Sequence, residues 1–163
     1  MTDRILNENS FGYRGQHSYD TQAAGSTATQ KDSVGNPTGP VITWDSLLTE
    51  DIDMASVMMN ISKQPGGTLY DAAYQDGTFG NATTILRRAA NENMFSDDCQ
   101  DIMQAAASVT YVMQHGSQMP PWFNNWRGAL QHPKRRPVFV RQSTACDVQV
   151  NNTVFISYGT PCN

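Results

Sequence analysis

Charge is scarce in this sequence: Asp, Glu, Lys and Arg make up only 16% of its 163 residues. Asn, Gln, Ser, Thr and Gly are abundant instead, so the surface is hydrated mainly by neutral hydrogen-bonding groups. Such a composition suits a subunit that spends its life packed against neighbours. Long apolar runs are missing as well, and none approaches the roughly 20 residues that a membrane-crossing helix needs. The opening Met-Thr-Asp-Arg lacks the apolar stretch of a signal peptide, so either no signal exists or the sequence begins after one. The three cysteines, Cys99, Cys146 and Cys162, show no Cys-x-x-Cys spacing, which argues against a thiolate metal site.

Catalytic signatures are also lacking. The chain has no Gly-x-Ser-x-Gly, no phosphate-cradling Gly-x-x-x-x-Gly-Lys and no His-Glu-x-x-His. Cys99 and His115 could form a nucleophile pair only by meeting, yet they lie sixteen residues apart on one expected helix, about 24 Å along its axis. Asp97, Asp98 and Asp101 read as ordinary first-turn charges. No catalytic residue, cofactor or metal is therefore assigned, and an enzyme of unknown class ranks third among the functional readings.

What is present divides the chain in two. Residues 1–40 are rich in Gly, Ser, Thr and Gln without a sustained apolar period, and alone they cannot bury enough surface to offset their ordering entropy. They are expected to form an extended polar arm. Residues 41–163 are expected to form one globular α+β domain, with a cluster of about four helices and then a small C-terminal antiparallel hairpin or three-stranded sheet.

The helical spacing of Trp44, Leu47, Leu48, Ile52, Ala55, Met58 and Met59 predicts a helix that Asp45 can cap and that "QPGG" ends. "TLYDAAYQ" predicts a short second helix, and "NATTILRRAANENM" a third with Arg87 and Arg88 exposed. In the fourth, Ser96 caps the start and the helix ends near His115 and Gly116. Its apolar stripe reads Cys99, Ile102, Met103, Ala106, Thr110, Met113. Beyond Pro137 the period falls to two, at Val138 and Val140, Val148 and Val150, then Val154, Ile156 and Tyr158, with Asn151 and Asn152 placed for a two-residue turn.

Charge is polarised along the chain. Residues 1–114 hold six cations against fourteen acids, about −8, and residues 115–163 hold five against one, about +4. Such polarity serves to meet an anionic partner or to set one copy's basic end on another's acidic face. The basic half contains "MPPWFNNWRGALQHPKRRPVF", residues 119–139, with four aromatics, four prolines and four cations in twenty-one residues. Trp122, Phe123, Trp126, Arg127, Lys134, Arg135 and Arg136 form the candidate interaction set. They could stack bases and neutralise phosphates. The chain as a whole is acidic, however, with a pI near 5.2 and no nucleic-acid-binding motif, so nucleic acid is a minor expectation. The favoured reading places Pro121 at the first position of a short helix whose Trp122, Phe123, Trp126 and Leu130 pack inward or into a subunit interface.

Two readings of the cysteines stand: buried thiols inside a cell, or one disulfide with a spare thiol. If the hairpin turns at Asn151 and Asn152, Ser157 lies near the position facing Cys146, which puts a Cys146–Cys162 bridge out of register and makes a bridge from Cys99 to either partner easier, with Cys99 and Cys146 the candidate pair. "SDDCQDIMQAA" followed by "VRQSTACDVQV" resembles the helix-cysteine and strand-cysteine pattern of small secreted fungal proteins of the killer-toxin-like and necrosis-inducing effector families. The resemblance covers about a third of the chain. The further cysteines and closing helix of those families are missing here, so their fold and activity are not carried over. Three sequons, at Asn60, Asn81 and Asn151, are about what this composition yields by chance.

The leading expectation is a non-enzymatic structural subunit of a larger assembly, such as a viral or phage particle component, whose partners are copies of itself or other subunits. The alternative is a secreted binding protein stapled by Cys99 and Cys146.

Overall fold

The structure is a computed structural model and describes residues 1–8, 19–20, 27–31, 37–74, 80–94, 96–128, 142–143, 146–150, 153–157, 159 and 161–162. The fold is α+β, with helices packed around one of their number and a small antiparallel sheet at the C-terminal end.

Helix α1 (Thr2–Glu8) opens the chain, inside the segment expected to be an arm. Ile5 and Leu6 are fully buried, and Met1 packs beside them. Burial of this kind stabilises by about 1.5–3 kcal/mol per large apolar side chain. The globular body therefore begins at Thr2 and not near residue 41. The remaining described parts of the expected arm form an antiparallel meander of β1 (Tyr19–Asp20), β2 (Thr27–Lys31) and β3 (Pro37–Thr43).

Strand β3 runs directly into α2 (Trp44–Ser62), so Asp45 lies in the first turn of this helix and not ahead of it. Helix α2 is the centre of the fold. From Glu50 to Asn60 every residue is buried except the half-buried Ile52. Three carboxylates, Glu50, Asp51 and Asp53, are among them, and each is partnered. The "QPGG" stop works as expected: Gly66 adopts φ +79°, and a Cβ on Gly67 would come within 2.3 Å of the Ile61 carbonyl oxygen. Thr68 then caps α3 (Leu69–Tyr74), its hydroxyl accepting from the Asp71 N–H at 3.0 Å and donating to the Asp71 carboxylate at 2.6 Å.

Helices α4 (Gly80–Ala89) and α5 (Asp97–His115) follow. The Ser96 hydroxyl accepts from the Cys99 N–H at 3.3 Å, and Gly116, at φ +81°, closes α5 by donating its N–H to the Val112 carbonyl at 2.8 Å. The face of α5 is not the one expected. Asp98, Asp101, Ala105, Ser108 and Val112 point inward; of the expected stripe Cys99 and Ile102 are half-buried, whereas Met103, Ala106, Thr110 and Met113 are exposed. Burial of two carboxylates in its first two turns sets the facing of the helix. Asp98 holds Arg88 through a two-pronged contact, Nε to Oδ2 at 2.5 Å and Nη2 to Oδ1 at 2.6 Å, tying α4 to α5. These bonds hold the Arg88 guanidinium above its ordinary pKa. Arg87 and Arg88 are exposed as expected, and Arg88 is also the partner of a buried acid.

After α5 the chain makes a turn in which the Phe123 N–H donates to the Pro120 carbonyl at 3.0 Å. It then forms β4 (Asn125–Gly128), where a helix starting at Pro121 was expected. Asn124, Asn125 and Gly128 are poor helix formers, and the edge of a neighbouring strand offers their backbone a ladder. The sheet order is β4, β7 (Thr153–Ile156), β6 (Asp147–Val150), β5 (Gln142–Ser143), all antiparallel. Val150 pairs with Thr153, leaving Asn151 and Asn152 between them as expected. Val148, Val150 and Phe155 share the face that packs on the helices, with Trp126 beside them. Val154 lies on the opposite face and is buried as well. The expected strand at Val138 and Val140, and the pairing of Tyr158, lie outside the described residues.

The joint between the two halves is made by α2. The Asn60 side-chain amide donates to the carbonyls of Pro120 at 2.8 Å and Phe123 at 3.1 Å, with a longer contact to Met119 at 3.4 Å. One turn earlier the Ser56 hydroxyl accepts from the Gln118 N–H at 2.9 Å. Replacing Asn60 with Ala strands these buried carbonyls. The variant is expected to lose about 2–3 kcal/mol of unfolding free energy in urea titrations, and a loss below about 0.5 kcal/mol would contradict this role for Asn60.

Candidate functional site

The sequence-selected aromatics are packing residues in the first instance. Phe123 is buried in the main core, and Trp122 and Trp126 are half-buried against it. The Trp122 and Phe123 rings lie 6.3 Å apart. Arg4 of α1 sits over the Trp126 ring at 4.6 Å and donates from Nη1 to the Ala72 carbonyl of α3 at 3.5 Å. One buried cation therefore gathers α1, α3 and β4. Arg127 belongs to β4 through its backbone, opposite Val154; its side chain, with Lys134, Arg135 and Arg136, lies outside the described residues. The described structure thus brings the three aromatics to one place, and that place is the seam between the helices and the sheet.

The cysteine pairing also differs from expectation. Cys146 is bonded to Cys162, with Cα atoms 5.3 Å apart, and Cys99 is a free thiol within 3.8 Å of the Ala89 carbonyl. The expected register is right, since the Ser157 N–H donates to the Cys146 carbonyl at 3.1 Å. The strand does not continue past that point, and Gly159, at φ +69°, lies within the stretch that brings Cys162 back to Cys146. Extending β7 in a straight line is what made the bridge look out of register. Cys99 and His115 sit at opposite ends of α5, as their spacing requires.

Among the described residues, the outer side of α5 presents several exposed apolar groups together. Met103 is 46% exposed, Tyr111 41% and Met113 55%. Ala106, Ala107, Thr110 and Gln114 are exposed between and beside them. From Ile102 to Gln114 the helix carries no charged residue at all. The Thr110 hydroxyl donates back to the Ala106 carbonyl at 2.8 Å, so its polar end is already satisfied. The Tyr111 ring leans on His115 with centroids 4.5 Å apart. Depletion of charge together with Met and Tyr is the composition of an interface centre, whereas a solvated helix face is ordinarily laced with Lys and Glu. The signal was in the sequence as thirteen uncharged residues, but periodicity alone does not say which side of a helix meets the core. A smaller exposed feature is the stacked pair Tyr70 and Tyr74 on α3, with centroids 4.6 Å apart.

Among the described residues no group of three His, Cys, Asp or Glu side chains is placed to hold a metal ion, and no helix is long and apolar enough to cross a membrane. Comparison with protein-family models, curated proteins and solved structures finds no match to this chain.

Peptide mapping without reduction is expected to recover Cys146 joined to Cys162 and Cys99 alkylated as a free thiol. Replacing both bridged cysteines with Ser opens a closure spanning 16 residues and is expected to cost about 3 kcal/mol of stability. A Cys99–Cys146 peptide would contradict the described pairing.

Proposed function

We propose that this protein is a non-enzymatic structural subunit that works in an assembly containing other copies of itself. The outer face of α5 carries the reading, because a helix side with exposed Met103, Tyr111 and Met113 and no charge over thirteen residues is costly to leave in water and cheap to cover. The low overall charge and the polarity between the two halves of the chain support the same reading. Placing that assembly in a viral or phage particle rests on composition alone. The aromatic-basic segment contributes to contacts in this reading through its cations, since Phe123 and much of Trp122 and Trp126 are used by the fold itself.

A second reading, a secreted binding protein acting as a single chain, is favoured by one observation, the Cys146–Cys162 bridge. Disulfides persist in oxidising compartments, and one that ties the end of the chain to the sheet is of the structural kind. Both readings place the protein outside the reducing cytosol; they differ in the number of chains per particle.

Light scattering on the full chain over a wide concentration range separates them. The assembly reading expects a mass of two or more chains that grows with concentration. A single-chain mass up to about 1 mM, where even an association of about 4 kcal/mol would register, overturns it in favour of the secreted binder.

A further inference from the structure

We infer that the outer face of α5 pairs with the same face of a second copy, the two helices running antiparallel about a two-fold axis at the level of residue 108. This deepens the assembly reading and rests on it.

The first support is the order of side chains along the exposed row. Met103, Ala106, Thr110 and Met113 are spaced three, four and three residues apart, the seam spacing of paired helices. The row is close to palindromic about residue 108. Met103 mirrors Met113, and Ala106 mirrors Thr110. In an antiparallel pair centred there, Met103 of one copy meets Met113 of the other, and Ala106 meets Thr110. Small side chains at the middle let the helix axes approach to about 8 Å, at the short end of the usual range. Flexible Met side chains at both ends fill the widening gap. Parallel pairing about the same point would set Met on Met at each end and Ala on Ala near the centre, leaving a void there.

The second support is charge. A partner that carried a charged side chain into this row would bury it without a counter-ion, at a cost of several kcal/mol. A second copy of the same face brings none. Among the other described helices, the exposed residues include Asp3 on α1, Asp71 on α3 and Arg87 with Arg88 on α4, while α2 is buried from Glu50 to Asn60 except for the half-buried Ile52. Among the described helices, α5 is the one whose exposed side runs over three turns without a charge, and a face that matches itself meets the condition for a two-fold contact. Antiparallel axes also set the positive end of one helix beside the negative end of the other.

The size of the contact sets its strength. Two helices touching over about three turns bury less than the roughly 800 Å² per partner of a standard interface, so the pairing is weak and depends on concentration.

The test is sedimentation equilibrium on the full-length chain and three exposed-site variants, Ala106→Glu, Met103→Glu and Met113→Lys. The native chain is expected to form dimers. Each variant alone is expected to raise the dimer Kd at least tenfold while its circular dichroism and urea midpoint at low concentration stay native, since all three side chains are exposed in the single chain. Mixing Met103→Glu with Met113→Lys is expected to restore dimers to within a few-fold of native, because antiparallel pairing sets the new Glu against the new Lys. Native dimers unaffected by Ala106→Glu would overturn the inference and leave the assembly reading standing. Loss without restoration in the mixture would overturn the antiparallel arrangement. A native chain that never pairs would overturn the inference together with the self-assembly on which it rests.

Discussion

The amide of Asn60 decides how the two halves of this protein meet. Its two hydrogens reach the carbonyls of Pro120 and Phe123, with a longer contact to Met119, so the turn after α5 is held from the middle of the most buried helix in the fold. Once that turn is set, Phe123 enters the core and the chain leaves in the direction that lets β4 pair with β7. Trp126 then arrives beneath Arg4, and Arg4 brings α1 and the end of α3 with it. Asn60 stands in a sequon, but a buried amide with these partners has no room or freedom to carry a glycan in the folded chain.

Buried acids account for the facing of α5. The interior of this protein accepts carboxylates where they are partnered, as Glu50, Asp51 and Asp53 of α2 are. Asp98 and Asp101 of α5 are buried as well, and Arg88 of α4 meets Asp98. Placing two acids inward turns Met103, Thr110 and Met113 outward. The exposed apolar row is thus a consequence of the polar interior: the helix has two faces, and the charges took the inner one.

Helix positions were legible in the sequence because their signals are local. Ser96 as a cap, Gly116 as a stop, "QPGG" after α2 and Asn151-Asn152 between strands each act within a turn or two of chain, and the structure uses all of them. What was not legible depended on partners far away in sequence. Helix α1 is seven residues long, too short for periodicity to distinguish it from the polar residues that follow, and its stability comes from the pocket that receives Ile5 and Leu6. Strand β4 is four residues whose only strand signal is the edge of β7. The Cys146–Cys162 bridge depends on a reversal after Ser157 that a straight strand does not anticipate. The facing of α5 failed for a different reason, since the rule that apolar residues point inward was applied where the inner face is acidic. Of the candidate site, the aromatics were legible as packing residues, but not the strand that carries Trp126.

The central claim is that α5 turns its acids inward and its methionines outward. Brief oxidation of the dilute folded chain with peroxide, read residue by residue by mass spectrometry, tests it most directly, because thioether oxidation follows exposure. Met103 and Met113 are expected to oxidise at rates near that of the exposed Met94, while the buried Met54 and Met58 stay reduced. Met103 and Met113 protected to the same degree as Met54 and Met58 in dilute solution would mean that the apolar stripe faces the core, and the account given for this fold and its surface would be wrong.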